Sequence, residues 1–135
     1  MAITYSTGQS ASIKKRFSEE DVKSFAQISG DTNPLHLDEL FAKKTRFGKR
    51  IVHGLLVASL ISSVLGTKLP GQGTIYLRQE LKFLAPVYFD EEITATVEVS
   101  AFEPSRGRMI LRTKCINESG KIVIDGVAEV LVPKE

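Results

Sequence analysis

Cysteine, histidine and tryptophan are scarce in this chain, which contains one cysteine, two histidines and no tryptophan. Because Cys115 is alone, an internal disulfide is impossible. Its neighbours Lys114 and Ile116 suggest a strand, so we expect a structural thiol in a reducing compartment. The histidines and the cysteine lack the paired spacing of metal ligands. We therefore expect neither a disulfide nor a metal site.

Net charge is small as well, because 18 basic and 16 acidic residues leave a charge of +2. No basic run is interleaved with aromatic residues, which argues against nucleic-acid binding. The longest apolar run, residues 55–65, is broken by serines and too short to span a bilayer, and the N-terminus has no apolar secretion signal. We expect a cytoplasmic protein with no membrane partner, in which residues 1–135 form a single domain.

The most informative segment reads Ser-Gly-Asp-Thr-Asn-Pro-Leu-His-Leu-Asp over residues 29–38. Pro34 pushes Asn33 toward extended geometry and the Gly-Asp-Thr-Asn sequence favours a turn, so we expect a non-helical loop. Such a bend can aim the Asp31 carboxylate and the His36 imidazole at one water molecule. A purely local explanation is that Asp31 and Asn33 form a side-chain-to-backbone turn and that His36 caps or packs beside the next helix.

Three helices are predicted in the first half of the chain. Ser18, followed three residues later by Asp21, predicts a capped helix over residues 19–28, and Asp38 predicts the cap of a second, short helix. Residues 54–65 read Gly-Leu-Leu-Val-Ala-Ser-Leu-Ile-Ser-Ser-Val-Leu and have no polar face. This pattern predicts a central helix that is buried on every side.

Alternating or β-branched residues predict one strand before the first helix, over residues 10–17, and four strands in the second half of the chain. The four later strands are separated by links of hairpin length and cover residues 74–83, 93–102, 108–117 and 121–132. Consecutive strands with such links predict an antiparallel sheet. Wrapped around the apolar helix, this sheet would make an α+β domain.

The run from Gly30 to His36 resembles the hydratase 2 motif of the MaoC-like hot-dog family, and in particular that of the small (R)-specific enoyl-CoA hydratases. The resemblance covers nearly the whole chain. It continues through Ile51-Val52-His53-Gly54, the Leu69-Pro70-Gly71 turn and Ile75-Tyr76-Leu77. It implies a single hot-dog domain, in which an antiparallel sheet wraps around a central helix, and it implies that Asp31 and His36 are catalytic.

Hydration of an enoyl thioester needs a base for water, an acid for C2 and a donor for the thioester oxygen. The family picture makes Asp31 the base and His36 the acid, although the roles of a coupled pair can be exchanged or shared. Gly54 would begin the buried helix, and the resemblance implies that its N–H belongs to the oxyanion hole; the alternative is that it only permits close packing. Asn33 is expected to fix the loop or His36. His53 is expected to cap the helix or to hydrogen-bond within the fold, outside the catalytic set.

The acyl chain is expected to run beside the central helix, which makes Ser62 and Leu65 candidate pocket residues, with plain core packing as the alternative. Large side chains on that face would favour a short, crotonyl-like acyl group. Lys68, Arg78 or Lys82 could meet substrate phosphates, or simply lie in solvent.

The resemblance implies a hydro-lyase that reversibly hydrates trans-2-enoyl-CoA to (R)-3-hydroxyacyl-CoA, in fatty-acid breakdown or in supplying monomers for polyhydroxyalkanoate. It implies no cofactor apart from the coenzyme A of the substrate. The alternatives are an (R)-3-hydroxyacyl-ACP dehydratase of fatty-acid synthesis that acts on acyl carrier protein, a hot-dog thioesterase and a noncatalytic acyl-thioester-binding protein. The exposed sheet edge of such a small domain, together with the resemblance, predicts a homodimer or higher homo-oligomer.

Overall fold

The computed structural model describes residues 4–133, which form one antiparallel sheet and four helices. In chain order the elements are β1 (Ser10–Arg16), α1 (Glu19–Ser29), α2 (Pro34–Leu37), α3 (Glu39–Lys43), α4 (Gly54–Thr67), β2 (Ile75–Phe83), β3 (Glu92–Glu103), β4 (Arg108–Ile116) and β5 (Ile122–Leu131). The predicted strands and the two longer helices are confirmed to within two residues at each end. Within the described residues, no helix combines the length and the apolar character needed to cross a membrane.

The predicted helix starts are confirmed by their hydrogen bonds. At α1, the Ser18 hydroxyl accepts from the Asp21 N–H at 3.1 Å and the Asp21 carboxylate accepts from the Ser18 N–H at 2.9 Å, which is a complete capping box. At α3, the Asp38 carboxylate accepts from the Phe41 N–H at 3.1 Å. Gly30 follows α1 with a φ of 79°, a left-handed conformation that stops the helix and turns the chain into the motif segment.

The prediction that the motif segment is non-helical is wrong for its second half. Pro34 is the first residue of α2, where a helix needs no N–H and where the fixed φ of proline suits the helical backbone. Asn33 caps this turn, because its side-chain oxygen accepts from the Leu35 N–H at 3.0 Å. His36 therefore projects from a short helix, and Asp31 from the irregular segment before it.

The strands lie in the order β1-β3-β4-β5-β2, and every neighbouring pair is antiparallel. The β3–β4 and β4–β5 hairpins are as predicted. However, the expectation of four consecutive hairpin-linked strands is wrong for β2, which pairs with β5 at the sheet edge. The link over residues 84–91 does not form a hairpin, because Val87 accepts from the Val52 N–H at 2.8 Å and Tyr88 forms an isolated bridge with Ile51.

Helix α4 packs against β1, β3 and β4, as the hot-dog arrangement requires. Val57, Ile61 and Val64 are at most 1% exposed on the face toward the sheet, where Cys115 is also fully buried on β4. The prediction that this helix is buried on every side is wrong for one copy of the chain. Leu55 is 62% exposed, because the sheet curves around the helix and ends at β2.

Candidate active site

A cavity of about 400 Å³ opens beside the N-terminal end of α4. Asp31, His36, His53 and Gly54 form its polar side. Most of the remaining wall is apolar. It comes from the connection between α3 and α4, from α4 itself, from the end of β2 with the link that follows and from β5: Phe47, Ile51, Val52, Leu55, Val57, Phe83, Leu84, Ala85, Pro86, Val87 and Ile124. An apolar cleft with a few convergent polar groups is the usual form of a small-molecule site.

His36 is held in one tautomer by the backbone. Its Nδ1 lies 2.8 Å from the carbonyl oxygen of Ile51, and because a carbonyl only accepts, Nδ1 must be the donor. The neutral ring therefore has its lone pair on Nε2. Any proton that His36 exchanges with a bound molecule moves through Nε2.

Burial lowers the pKa of His36 below the ordinary value of 6.5, because the charged imidazolium loses its hydration. The hydrogen bond to the Ile51 carbonyl and the negative charge of Asp31 act in the opposite direction, and His53 adds to the lowering. At neutral pH the uncharged imidazole consequently predominates, with Nε2 ready to accept a proton.

Asp31 lies at the solvent side of the cavity, where its carboxylate accepts from the Asn33 N–H at 3.2 Å. The local side-chain-to-backbone turn is thus present, but it does not turn the carboxylate away from the histidine. Ligand atoms of Asp31, His36 and His53 all lie within 4.8 Å of one another. The fold therefore brings Asp31 and His36 together at a spacing that one water molecule can bridge.

His53 contacts both members of this pair. Its ring stacks on His36 with the centroids 3.8 Å apart and the planes inclined by 26°, and its Nε2 donates to the Asp31 carbonyl at 3.0 Å. The side chain makes no cap bond to α4, so of its two predicted structural roles the structure has the hydrogen bond within the fold. Because Nδ1 of His36 and Nε2 of His53 each donate to a backbone carbonyl, the lone pairs of the two stacked rings are on Nε2 of His36 and Nδ1 of His53.

Gly54 is the first residue of α4, where the N–H has no acceptor within the helix. A Cβ atom at this position would lie 2.7 Å from two ring carbons of Phe83. Close packing, the alternative interpretation of this glycine, is therefore present. Gly54 also lines the cavity. The N-terminal end of α4 therefore faces the space next to Asp31 and His36.

The two candidate acyl-pocket residues lie elsewhere in a single copy of the chain. Leu65 is 1% exposed in the core, and Ser62 lies in a separate groove between α4 and β2. Neither side chain lines the cavity around Asp31. The helical periodicity that placed them on one face does not distinguish an inner from an outer side, because the sheet covers only part of the helix.

The predicted phosphate contacts also lie away from the cavity. Lys68 donates to the Ser12 carbonyl at 2.8 Å, and Arg78 and Lys82 are exposed on β2. The cation in the cavity wall is instead Arg46, in the connection between α3 and α4. Arg46 was not predicted from the sequence, and neither was the wall formed by residues 83–87, whose signal is an apolar stretch at the end of β2 and in the link that follows.

Comparison with known proteins agrees with this arrangement. Residues 3–119 match the MaoC-like domain family. An (R)-specific enoyl-CoA hydratase of Rhodospirillum rubrum is 51% identical over 126 residues, which cover 93% of this chain and 87% of that protein. A mitochondrial 3-hydroxyacyl-[acyl-carrier-protein] dehydratase of Arabidopsis thaliana is 39% identical over 87% of this chain and 71% of its own length.

Among solved structures, the (R)-hydratase from A. caviae involved in PHA biosynthesis superimposes with a TM-score of 0.94 at 45% identity. The superposition covers 98% of this chain and 100% of that one. The five-stranded antiparallel sheet around α4 is thus the hot-dog fold, and the family match spans most of the chain. This chain belongs to the MaoC-like domain family.

Proposed function

We propose that this protein reversibly adds water to trans-2-enoyl-CoA and forms (R)-3-hydroxyacyl-CoA. The observation that carries the proposal is the convergence of Asp31, His36 and the N-terminal end of α4 on one side of an apolar cavity. The similarity to (R)-specific enoyl-CoA hydratases over nearly the whole chain supports the same activity.

The proton balance of hydration suits the charge state of the pair. Water gives a proton to the pair as its oxygen bonds to C3, and the pair then returns a proton to C2, so that the enzyme is unchanged after each turnover. With His36 neutral, the pair accepts a proton first and donates one second. One water bridging both groups delivers oxygen and proton to the same face of the double bond. Positioned proton transfer of this kind contributes about 10² to 10⁴ in rate.

Gly54 supplies the electrostatic part of the mechanism in this proposal. As the water oxygen bonds to C3, negative charge develops on the thioester oxygen, and the Gly54 N–H at the positive end of α4 stabilises it. The absence of a side chain lets the thioester approach this N–H. No metal or redox cofactor takes part, and coenzyme A enters only as a part of the substrate.

The short, crotonyl-like acyl group remains our expectation for the substrate. Val57, Leu84 and Ile124 line the cavity, whose volume is about 400 Å³. Arg46 in the same wall offers a cation to the phosphates of coenzyme A. Ser62 remains a candidate for the acyl pocket of an assembled oligomer, in which the groove between α4 and β2 is covered, whereas Leu65 packs in the core.

We also propose that two copies pair through the β2 edge. Both sheet edges have exposed charges, Arg78 and Lys82 on β2 among them, but β1 ends in three consecutive exposed cations, residues 14–16, which discourage pairing. The opposite edge has exposed apolar side chains, Ile75 at 56% and Leu77 at 41%. This edge borders the groove that contains the exposed face of α4. A second copy related by a two-fold axis would cover both features with the same surface.

A cytoplasmic location and a role in fatty-acid breakdown or in supplying polyhydroxyalkanoate monomers complete the proposal. The single, fully buried Cys115 suits a reducing compartment. The A. caviae relative in the same fold is described as acting in PHA biosynthesis. The proposed location rests on Cys115, and the proposed metabolic role rests on the similarity to the A. caviae protein.

The alternative is a 3-hydroxyacyl-ACP dehydratase, which the similarity to the Arabidopsis thaliana dehydratase favours. It runs the same chemistry in reverse on a different carrier. The same residues would act in both directions, so the ratio of kcat/KM for crotonyl-CoA and crotonyl-ACP separates the two functions. A ratio above one supports the CoA-linked activity.

The test follows the loss of enoyl-thioester absorbance when crotonyl-CoA is mixed with the purified protein, alongside Asp31→Asn and His36→Gln. We expect rapid loss in the unmodified chain and a decrease of about 10² or more in each folded variant. In reverse, only (R)-3-hydroxybutyryl-CoA should be dehydrated. Binding without turnover on either carrier would instead indicate a noncatalytic thioester-binding protein, and release of free thiol a thioesterase.

A further inference from the structure

We propose that His53 is a positioning residue for the hydration reaction, which holds Asp31 and His36 in their productive arrangement through one ring. This inference rests on the proposed function. The observation behind it is that a single buried side chain touches both members of the pair. It bonds the Asp31 carbonyl at 3.0 Å and stacks on the His36 ring at 3.8 Å.

The hydrogen bonds define the tautomer of His53. Because the Asp31 carbonyl can only accept, Nε2 of His53 must have the hydrogen. Its Nδ1 is buried and has no hydrogen-bond partner among residues 4–133. A hydrogen on Nδ1 would leave a buried N–H without an acceptor, which is costly. The ring therefore has its lone pair on Nδ1 and acts at Asp31 as a fixed donor.

The ring is also clamped in space. His53 is 2% exposed, and besides stacking on His36 its ring makes an edge contact with Phe25, with the centroids 4.8 Å apart and the planes inclined by 60°. His36 is tied on its other side by the bond from Nδ1 to the Ile51 carbonyl. Asp31 is exposed and lies in an irregular segment. The bond from His53 joins its backbone carbonyl to the stacked rings of His36 and His53.

This geometry explains why His53 should affect the chemical step more than substrate binding. The Asp31 carbonyl belongs to the same residue as the carboxylate, so loss of the bond lets the carboxylate shift relative to His36 Nε2. A misplacement of about 1 Å in a reacting group can cost about 10²-fold in rate. Most of the cavity wall is apolar and belongs to other residues, so substrate binding should change less than the chemical step.

His53→Gln and His53→Met have side chains of equal length, so comparing them separates the effect of the hydrogen-bond donor from the effect of filling the space. Gln places an amide N–H near the position of Nε2, whereas Met fills similar space without a donor. We expect His53→Met to lower kcat by about tenfold or more with KM within about threefold, and His53→Gln to recover at least about threefold of that loss. His53→Phe, which keeps a ring but has no donor, should resemble His53→Met in kcat. Circular dichroism and thermal melting identify any variant that fails to fold.

An independent measurement is available because the chain contains two histidines. Imidazole ¹⁵N spectra of the unmodified protein should show hydrogen on Nε2 of His53 and on Nδ1 of His36, with the signals assigned by His53→Gln. Hydrogen on Nδ1 of His53 would overturn the inference.

The kinetic outcomes also distinguish the inference from the function on which it rests. Turnover in the unmodified chain that His53→Met and His53→Phe leave unchanged, or a loss confined to KM, overturns the positioning role alone. A loss of kcat that is equal in His53→Gln and His53→Met also overturns it, because the donor then has no effect. If the unmodified chain turns over neither crotonyl-CoA nor crotonyl-ACP, the proposed function fails and the positioning role fails with it.

Discussion

Gly54 and Phe83 meet so closely that a Cβ atom on Gly54 would lie 2.7 Å from Cδ1 and Cε1 of the Phe83 ring. The first residue of α4 and the last residue of β2 thus share one end of the cavity. Phe83 is 53% exposed, so its ring can move aside. The contact therefore limits access to the helix N-terminus more than it stabilises the fold.

We expect Gly54→Ala to lower kcat/KM for crotonyl-CoA by about tenfold or more while changing the melting temperature little. The added methyl group occupies the approach to the Gly54 N–H, and loss of an oxyanion-hole donor typically costs about 3 kcal/mol of barrier. Steady-state kinetics with a thermal melt of the same sample measure both effects.

The double variant Gly54→Ala with Phe83→Ala is the control for this prediction. Removing the ring relieves the clash but leaves the methyl group in front of the N–H, so we expect activity to stay low. Phe83→Ala alone provides the baseline. If the double variant instead regains the activity of Phe83→Ala, Gly54 serves only close packing.

The pH dependence should report the neutral form of His36. Burial lowers its pKa below 6.5, and the pair accepts a proton from water only while the ring is uncharged. We expect kcat/KM for hydration to be constant near neutral pH and to fall as the pH decreases through the lowered pKa. A rate that falls as the pH rises through this region would show that His36 must start protonated, as the acid of the family picture.

The stability of the protein should also decrease as the pH falls. This decrease must be distinguished from the decrease in kcat/KM. Because the folded-state pKa of His36 is depressed, its contribution to stability is complete above the unfolded value of 6.5 and is lost as the pH falls through the folded value. Melting curves at each assay pH identify this loss. The decrease in kcat/KM at low pH should still be seen when the assay temperature is low enough for the protein to remain folded.

Asn33 should influence catalysis through the helix that it caps. Asn33→Ala removes the acceptor for the Leu35 N–H and should cost about 1 kcal/mol of stability, together with a several-fold decrease in kcat, since α2 presents His36. Asn33→Ser keeps a capping oxygen and is the matched control. Equal loss of activity in both variants would show that Asn33 does not act on catalysis through its capping bond.

The β2 edge offers a test of assembly. Leu77→Lys places a charge on the exposed apolar edge and should convert a dimer into a monomer in light scattering coupled to size-exclusion chromatography. Ile28→Lys is the control, because Ile28 is 85% exposed on α1 and lies off the sheet edge. A dimer that survives Leu77→Lys would place the interface elsewhere.

Local features of the sequence were enough to locate the five strands and three of the four helices. The Ser18–Asp21 capping box and the alternation in residues 93–102 depend on near neighbours, so their predictions hold. The position of β2 at the sheet edge could not be read in this way, because strand order depends on which long-range pairs form. The helical turn at Pro34 was missed since proline suits a first helical turn as well as a loop.

Sequence by itself determined the family, the apolar helix within a sheet and the chemical identity of the pair Asp31 and His36, because these depend on residue type and spacing. Only the tertiary structure decided that His53 stacks on His36, that residues 83–87 wall the cavity and that Ser62 faces outward. These contacts join segments distant in the chain. They arise from how the sheet curves around α4, which no local pattern specifies.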